Sequence, residues 1–89
     1  MIMSTVSTYI ELIRAFLVNS LSASDFEQRY LTLFKNDLEP KPKHVFLLLD
    51  ELFSDVDAFC EDPQLRDEND IDEDELRVRC EAVLAKLAD

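Results

Sequence analysis

Residues 48–76 have the sequence LLDELFSDVDAFCEDPQLRDENDIDEDEL, and this stretch decides the fold. Apolar residues recur every three or four positions from Leu48 to Val56, which is the spacing of one face of an α-helix. The rest is the most acidic run in the chain. The stretch predicts a helix more buried than any other, then an acidic loop pinned by Leu65 and Ile71, then the cap of another helix.

The same helical spacing recurs outward from this stretch in both directions. We predict helices at residues 5–19, 23–37, 43–60 and, after a cap at Asp72, up to Leu87. Asn19 and Ser20 are expected to end the first helix where glycine is usual, and Ser22 to cap the second. No strand-like alternation competes with these helices. The sequence therefore predicts an all-α protein, an antiparallel up-and-down four-helix bundle, as one domain over residues 1–89.

The acidic residues are concentrated in the second half of the chain. Residues 1–49 contain five acids and five bases, whereas residues 50–89 contain fifteen acids and four bases, so the whole net charge of −11 lies in the second half. Such a field repels nucleic acid and anionic membranes and attracts basic surfaces. We therefore expect a basic protein as the partner, with no nucleic acid and no membrane.

Several enzyme classes are excluded by composition and spacing. The chain has no glycine, which excludes glycine-rich phosphate loops. The only histidine, His44, has no serine or cysteine at a recognisable spacing, and nearly every acid falls on an exposed helical face, where no carboxyl group is desolvated for acid–base work. Cys60 and Cys80 fall on apolar helical positions and do not complete a zinc site. The expectation is a protein that is not an enzyme and has no cofactor or metal.

The place of action is predicted from what the sequence lacks. The N-terminus has no signal-peptide pattern, and no apolar run approaches the roughly 20 residues needed to span a bilayer. We therefore expect a cytoplasmic protein. Repulsion between acidic faces argues against a dimer through that surface, so a monomer is expected in the absence of a partner.

A calcium site is an alternative interpretation of the acidic run. Asp70, Asp72, Asp74 and Glu81 match positions 1, 3, 5 and 12 of a calcium-binding loop. Position 6, which requires glycine for a sharp turn, is Glu75. The same residues also predict a helix cap and first turn, and the two conformations exclude each other. A calcium sensor would show a metal-dependent melting temperature.

Several short motifs in the chain are specific. The second half contains Glu51-Leu52-Phe53, Asp57-x-Phe59, Asp62-Pro63-x-Leu65-Arg66 and Ile71-Asp72 ahead of Leu76. The first half contains looser ones, Phe16-Leu17, Ser24-Asp25-Phe26-Glu27 and Asp37-Leu38-x-Pro40. Together these motifs resemble a known family, the self-protective colicin-like immunity proteins that include the colicin D immunity protein.

This resemblance implies a non-catalytic four-helix bundle that binds the C-terminal nuclease domain of a bacteriocin or a contact-dependent inhibition toxin. The implied toxin is a tRNA-cleaving nuclease, whose basic active site is filled by acids of the immunity protein. The implied toxin-binding residues are Glu51, Asp55, Asp57, Glu61, Asp62, Asp70, Asp72 and Glu73. The alternative is a small acidic helical adaptor that binds another basic protein, and a large toxin gene directly upstream would distinguish the two.

Overall fold

The computed structural model describes residues 5–60, 62, 64–65, 67–68 and 70–87. These residues form α1 (Thr5–Leu17), α2 (Ala23–Asn36), α3 (Lys43–Ala58) and α4 (Glu73–Leu87). Each helix packs against its neighbours in sequence, and α4 returns to pack against α1. This closed ring of contacts confirms the predicted all-α four-helix bundle. None of the four is both long enough and apolar enough to cross a membrane.

The core takes one apolar stripe from each helix. Its most deeply buried side chains are Tyr9, Ile13, Phe16, Phe26, Tyr30, Leu49, Leu52, Val56, Leu76 and Cys80. Each helix contributes three buried residues, so the prediction that the third helix is the most buried is wrong. The difference arises at the start of α3, where Phe46 and Leu47 remain about half exposed.

Aromatic side chains join the first three helices. The rings of Phe16 and Phe26 stack with centroids 4.6 Å apart, and those of Tyr9 and Tyr30 lie 5.5 Å apart in a tilted pair. The Tyr30 hydroxyl donates a hydrogen bond of 2.8 Å to the Leu49 carbonyl oxygen, which satisfies a polar group that would otherwise be buried alone. Burial raises the pKa of Tyr30, so this donor stays protonated. These contacts join α1 to α2 and fix α3 against α2.

The end of α1 is closed without glycine, as predicted, although the helix ends at Leu17 and not at residue 19. Asn19 has a φ of 65°, in the left-handed region that asparagine tolerates better than most residues. Its N–H donates to the Phe16 carbonyl at 3.1 Å, and the Ser20 N–H donates to the Ala15 carbonyl at 2.9 Å. This is the paired hydrogen-bond pattern of a Schellman C-cap.

The start of α2 is also confirmed, while its end differs by one residue. Ser22 Oγ accepts a hydrogen bond of 3.1 Å from the Asp25 N–H, the expected N-cap. Asp37 lies just beyond the helix, although it was predicted as the last helical residue. Its carboxylate accepts hydrogen bonds from the Tyr9 hydroxyl, at 2.8 Å, and from Lys41. This nearly buried network holds the α2–α3 linker against α1.

The third helix ends at Ala58, so its predicted end at Cys60 is wrong. Phe59 leaves the helix and forms a parallel bridge with Ile71. The Cys60 N–H donates to the Ile71 carbonyl, and the Ile71 N–H donates to the Ala58 carbonyl, both at 3.0 Å. The two ends of the acidic loop are thereby joined next to the core, where Phe59 is buried.

Arg77 fastens α4 to the end of α1. Its Nη1 donates to the Phe16 carbonyl at 3.0 Å, and its Nη2 donates to Asn19 Oδ1 at 2.7 Å. The guanidinium also lies over the Phe16 ring, 4.4 Å from the centroid. A cation at a helix C-terminus interacts favourably with the helix dipole and satisfies a carbonyl that has no partner within the helix.

We expect Arg77→Ala to lower the free energy of unfolding by about 1–3 kcal/mol, because these charge-assisted hydrogen bonds and the ring contact are lost together. For a domain of this size, the loss corresponds to a fall in Tm of roughly 5–15 °C. Thermal denaturation followed by circular dichroism measures it. Lys86→Ala, which removes an exposed cation from the same helix, is the control. Equal Tm values for the two variants would contradict this role of Arg77.

Candidate acidic interaction surface

The acids of α3 point to two sides of the helix. At 100° per residue, Glu51 and Asp55 lie one turn apart on one side, while Asp57 lies about 200° around from Asp55. The side of Asp57 is shared with Phe53, whose ring stacks on Phe34 of α2 with centroids 4.6 Å apart. The helix therefore presents carboxylates toward α4 on one side and toward α2 on the other.

Asp55 is held by an arginine of the neighbouring helix. Arg79 Nη1 donates to Asp55 Oδ1 at 2.7 Å, and Arg79 Nε donates to Glu75 Oε1 at 2.9 Å. The Asp55 side chain is only 14% exposed, whereas that of Arg79 is 41% exposed. Asp55 is therefore part of the α3–α4 interface and is not an open surface acid.

The surroundings of Asp55 are crowded with negative charge. Burial raises the pKa of its carboxyl group most, Arg79 opposes that effect, and Glu51 and Glu75 raise the pKa further, so the net direction is upward. The Arg79 guanidinium thus binds two carboxylates, those of Asp55 and Glu75. We call these three residues the α3–α4 cluster, and Glu51 lies close enough to Asp55 to raise its pKa.

The acids at the start of α4 serve the helix itself. Asp72 Oδ1 accepts a hydrogen bond of 2.9 Å from the Glu75 N–H, which confirms the predicted N-cap. Glu73 Oε2 accepts a longer bond of 3.3 Å from Arg77 Nε. Since residues 73–87 are helical, the calcium-loop conformation is not adopted. Both Asp72 and Glu73 remain exposed.

The loop acids shape its turns. Asp62 Oδ1 accepts from the Gln64 N–H at 2.9 Å, and Asp70 Oδ2 accepts from the Asp67 N–H at 3.1 Å. Asp62 is exposed and Asp70 is half-buried. Glu61, also a predicted contact residue, lies outside the described residues. These aspartates hold the backbone of the loop, Asp62 from an exposed position and Asp70 from a half-buried one.

Glu51 and Asp57 are the open acids among the predicted contact residues of α3. Both are exposed, as is their neighbour Asp50, and within the described part of the chain none of the three makes a salt bridge. The structure therefore divides the predicted residues by environment. Glu51 and Asp57 are open, whereas the others that it describes also pair with an arginine, cap a helix or hold a turn.

Sequence reasoning missed the arginines that organise this surface. Glu73 precedes Arg77 by four residues and Glu75 precedes Arg79 by four, which is the spacing of ion pairs along a helix, and both pairs form. That local signal was present in the sequence. The link from Arg79 to Asp55 joins two helices and has no local signal.

The two cysteines have different surroundings. Cys60 is half-buried, and its Sγ donates a hydrogen bond of 3.5 Å to the Asp62 carbonyl. No disulfide joins Cys60 and Cys80. Cys80 is buried in the core, and burial raises the pKa of its thiol to about 12. It is therefore protonated at neutral pH and acts as a small apolar side chain.

A helical bundle with an acidic surface is suited to binding a basic protein. A model of the family described as bacterial self-protective colicin-like immunity matches residues 3–87, and the chain belongs to that family. Its members are inhibitors and not enzymes, so this chain is an immunity protein that binds a cognate toxin. No curated protein and no solved structure matches the chain.

The two aspartates of α3 should differ in their effect on stability. We expect Asp55→Lys to lower the free energy of unfolding by about 1–2 kcal/mol, because it places a second cation against Arg79 in a half-buried site. Asp57→Lys should change it by less than about 0.5 kcal/mol, since Asp57 is exposed. Urea denaturation of both variants measures the difference, and equal stability would contradict the structural role of Asp55.

Proposed function

We propose that this immunity protein inhibits a cognate nuclease toxin, a tRNA-cleaving one, by filling its basic active site with carboxylates in place of phosphates. The observation that carries the proposal is the excess of acids on α3 and α4, where Glu51 is open on the side of α3 that bears the α3–α4 cluster and Asp57 is open on the side toward α2. A catalytic role is not needed, because occupation of the active site is enough to exclude the RNA.

The excess of acids over bases in the second half of the chain supports a basic partner. Residues 50–89 contain fifteen acids against four bases. Arg77 and Arg79 join α4 to α1 and to Asp55 of α3, and each also pairs with one exposed glutamate of α4. A surface with so few outward cations attracts a positively charged cleft and speeds association with it.

The open acids of α3 are held on a fixed scaffold. Because Glu51 and Asp57 both lie on a helix packed into the core, their backbone positions are fixed before binding, which lowers the entropy lost on association.

The family also supports a proposal for the partner and for the place of action. We infer that the partner is the C-terminal toxic domain of a bacteriocin or of a contact-dependent inhibition protein. The immunity protein would act as a monomer in the cytoplasm, where an incoming nuclease domain meets its RNA substrate. Charge attraction would govern the encounter, while a few desolvated ion pairs and hydrogen bonds would govern the lifetime of the complex.

The experiment that tests this function starts with capture of the toxin by tagged protein from its native host. The recovered domain is identified by mass spectrometry, produced separately and incubated with total tRNA, with and without the immunity protein. We expect tRNA cleavage that stops at one equivalent of immunity protein. A recovered toxin that cleaves no nucleic acid would contradict the proposal.

Reversal of the open acids should weaken the complex. For the double variant Glu51→Lys, Asp57→Lys, we expect the Kd for that toxin domain to rise at least tenfold, with a shallower salt dependence, because fewer opposite charges meet across the interface and salt has fewer attractions to screen. Isothermal titration calorimetry at two salt concentrations measures both effects. Asp55 is left unchanged because its substitution also perturbs folding.

The control variant is Glu11→Lys, which reverses an exposed acid of α1 in the half of the chain with no net charge. Its Kd should stay within about threefold of the wild-type value. Equal affinities for the double variant and the wild type would exclude the open acids of α3 as contacts with the toxin.

A further inference from the structure

Leu65 is exposed on the acidic loop, where it was predicted to pin the loop to the body. Ile71 meets that expectation, since it is half-buried and packs against the core. Leu65 does not, because 75% of its surface is exposed. A single exposed leucine is ordinary in itself, and Leu38 in the α2–α3 linker is 92% exposed. Leu65 differs from Leu38 because it lies in the acidic half of the chain.

The backbone at Leu65 is held by hydrogen bonds. The Leu65 N–H donates to the Asp62 carbonyl at 3.1 Å, and the Gln64 N–H donates to the Asp62 carboxylate at 2.9 Å. The bridge between Phe59 and Ile71 joins the ends of the same loop to the core. An apolar side chain on a turn of this kind is presented to a partner with little further ordering on binding.

Leu65 lies in a loop with more acids than bases. Residues 61–70 contain five acids and one base, Arg66, which follows Leu65 directly. Asp62, Asp67 and Glu68 are exposed. An exposed apolar residue with charged neighbours in the chain resembles the centre of an interface within a polar rim. The charge of the rim restricts the partner to a basic protein surface, and the leucine requires an apolar depression within that surface.

A negative surface alone does not explain recognition of one particular toxin. Every nuclease that binds a phosphate backbone offers a basic cleft, so phosphate mimicry gives affinity for many of them. Discrimination requires contacts that fit one partner and not another. An apolar anchor beside the acids supplies such a contact, because a partner without the matching depression would bury the leucine against charged groups.

We propose that Leu65 is the apolar anchor of this immunity protein, and that it enters a shallow apolar depression beside basic residues of the cognate toxin. The inference rests on the proposed function, because it assumes that the same acidic half of the molecule meets a nuclease. It adds a specificity-determining residue outside the set of acids.

The test compares Leu65→Ala with Leu38→Ala, which truncates an exposed leucine in the other loop, in the half of the chain without net charge. The probe is the toxin domain recovered from the native host. We expect Leu65→Ala to raise its Kd at least tenfold, with unchanged Tm and an unchanged slope of Kd against salt. Leu38→Ala should change neither Kd nor Tm.

The outcomes separate this inference from the proposed function. If Leu65→Ala binds like the wild type while the charge-reversed Glu51 and Asp57 variant binds weakly, the anchor is refuted and phosphate mimicry stands. If Leu65→Ala binds weakly while the charge-reversed variant is unaffected, the anchor stands and phosphate mimicry by α3 is refuted. Equal losses for Leu65→Ala and Leu38→Ala would also refute the anchor.

Discussion

The packing of α4 against the other helices depends on the hydrogen bonds of two arginines, Arg77 and Arg79. The half of the chain that follows residue 49 has fifteen acids and four bases, and repulsion among those acids opposes a compact state. Arg77 binds the end of α1, and Arg79 binds Asp55 of α3. Both guanidinium groups lie at the seams between helices. They hold the acidic helix in place while most of the outward negative charge stays uncancelled, which is what a surface for a basic partner requires.

The residues that form the core are largely different from the acids that form the charged surface. Aromatic and aliphatic side chains form the core, and the bond from Tyr30 to the Leu49 carbonyl fixes α3 at the level where its acids begin. The acids themselves differ in how firmly they are placed. Glu51 and Asp57 stand on a helix, whereas Asp62 lies on a loop whose ends are joined by the bridge of Phe59 with Ile71. A mutation in the core would therefore alter binding indirectly, and a mutation of an open acid would alter it directly.

The sequence predicted what local chemistry determines. Ser22 and Asp72 cap helices, Asn19 ends one in the left-handed conformation, and the apolar spacing identified four helices and the residues that pack inside. It did not predict contacts between residues distant in the chain. The early end of α3 arises because Phe59 pairs with a residue across the loop, and the burial of Asp55 arises because Arg79 reaches it from another helix. The concentration of acid was therefore predictable, while the distinction between open and engaged acids was not.

The central claim is that the acidic face occupies the site where the toxin binds RNA, and competition tests it most directly. A catalytically inactive form of the cognate toxin domain is bound to fluorescently labelled tRNA, and the immunity protein is added while fluorescence anisotropy is recorded. The account predicts complete displacement of the tRNA at one equivalent of immunity protein. A ternary complex, in which toxin, tRNA and immunity protein remain together, would contradict it.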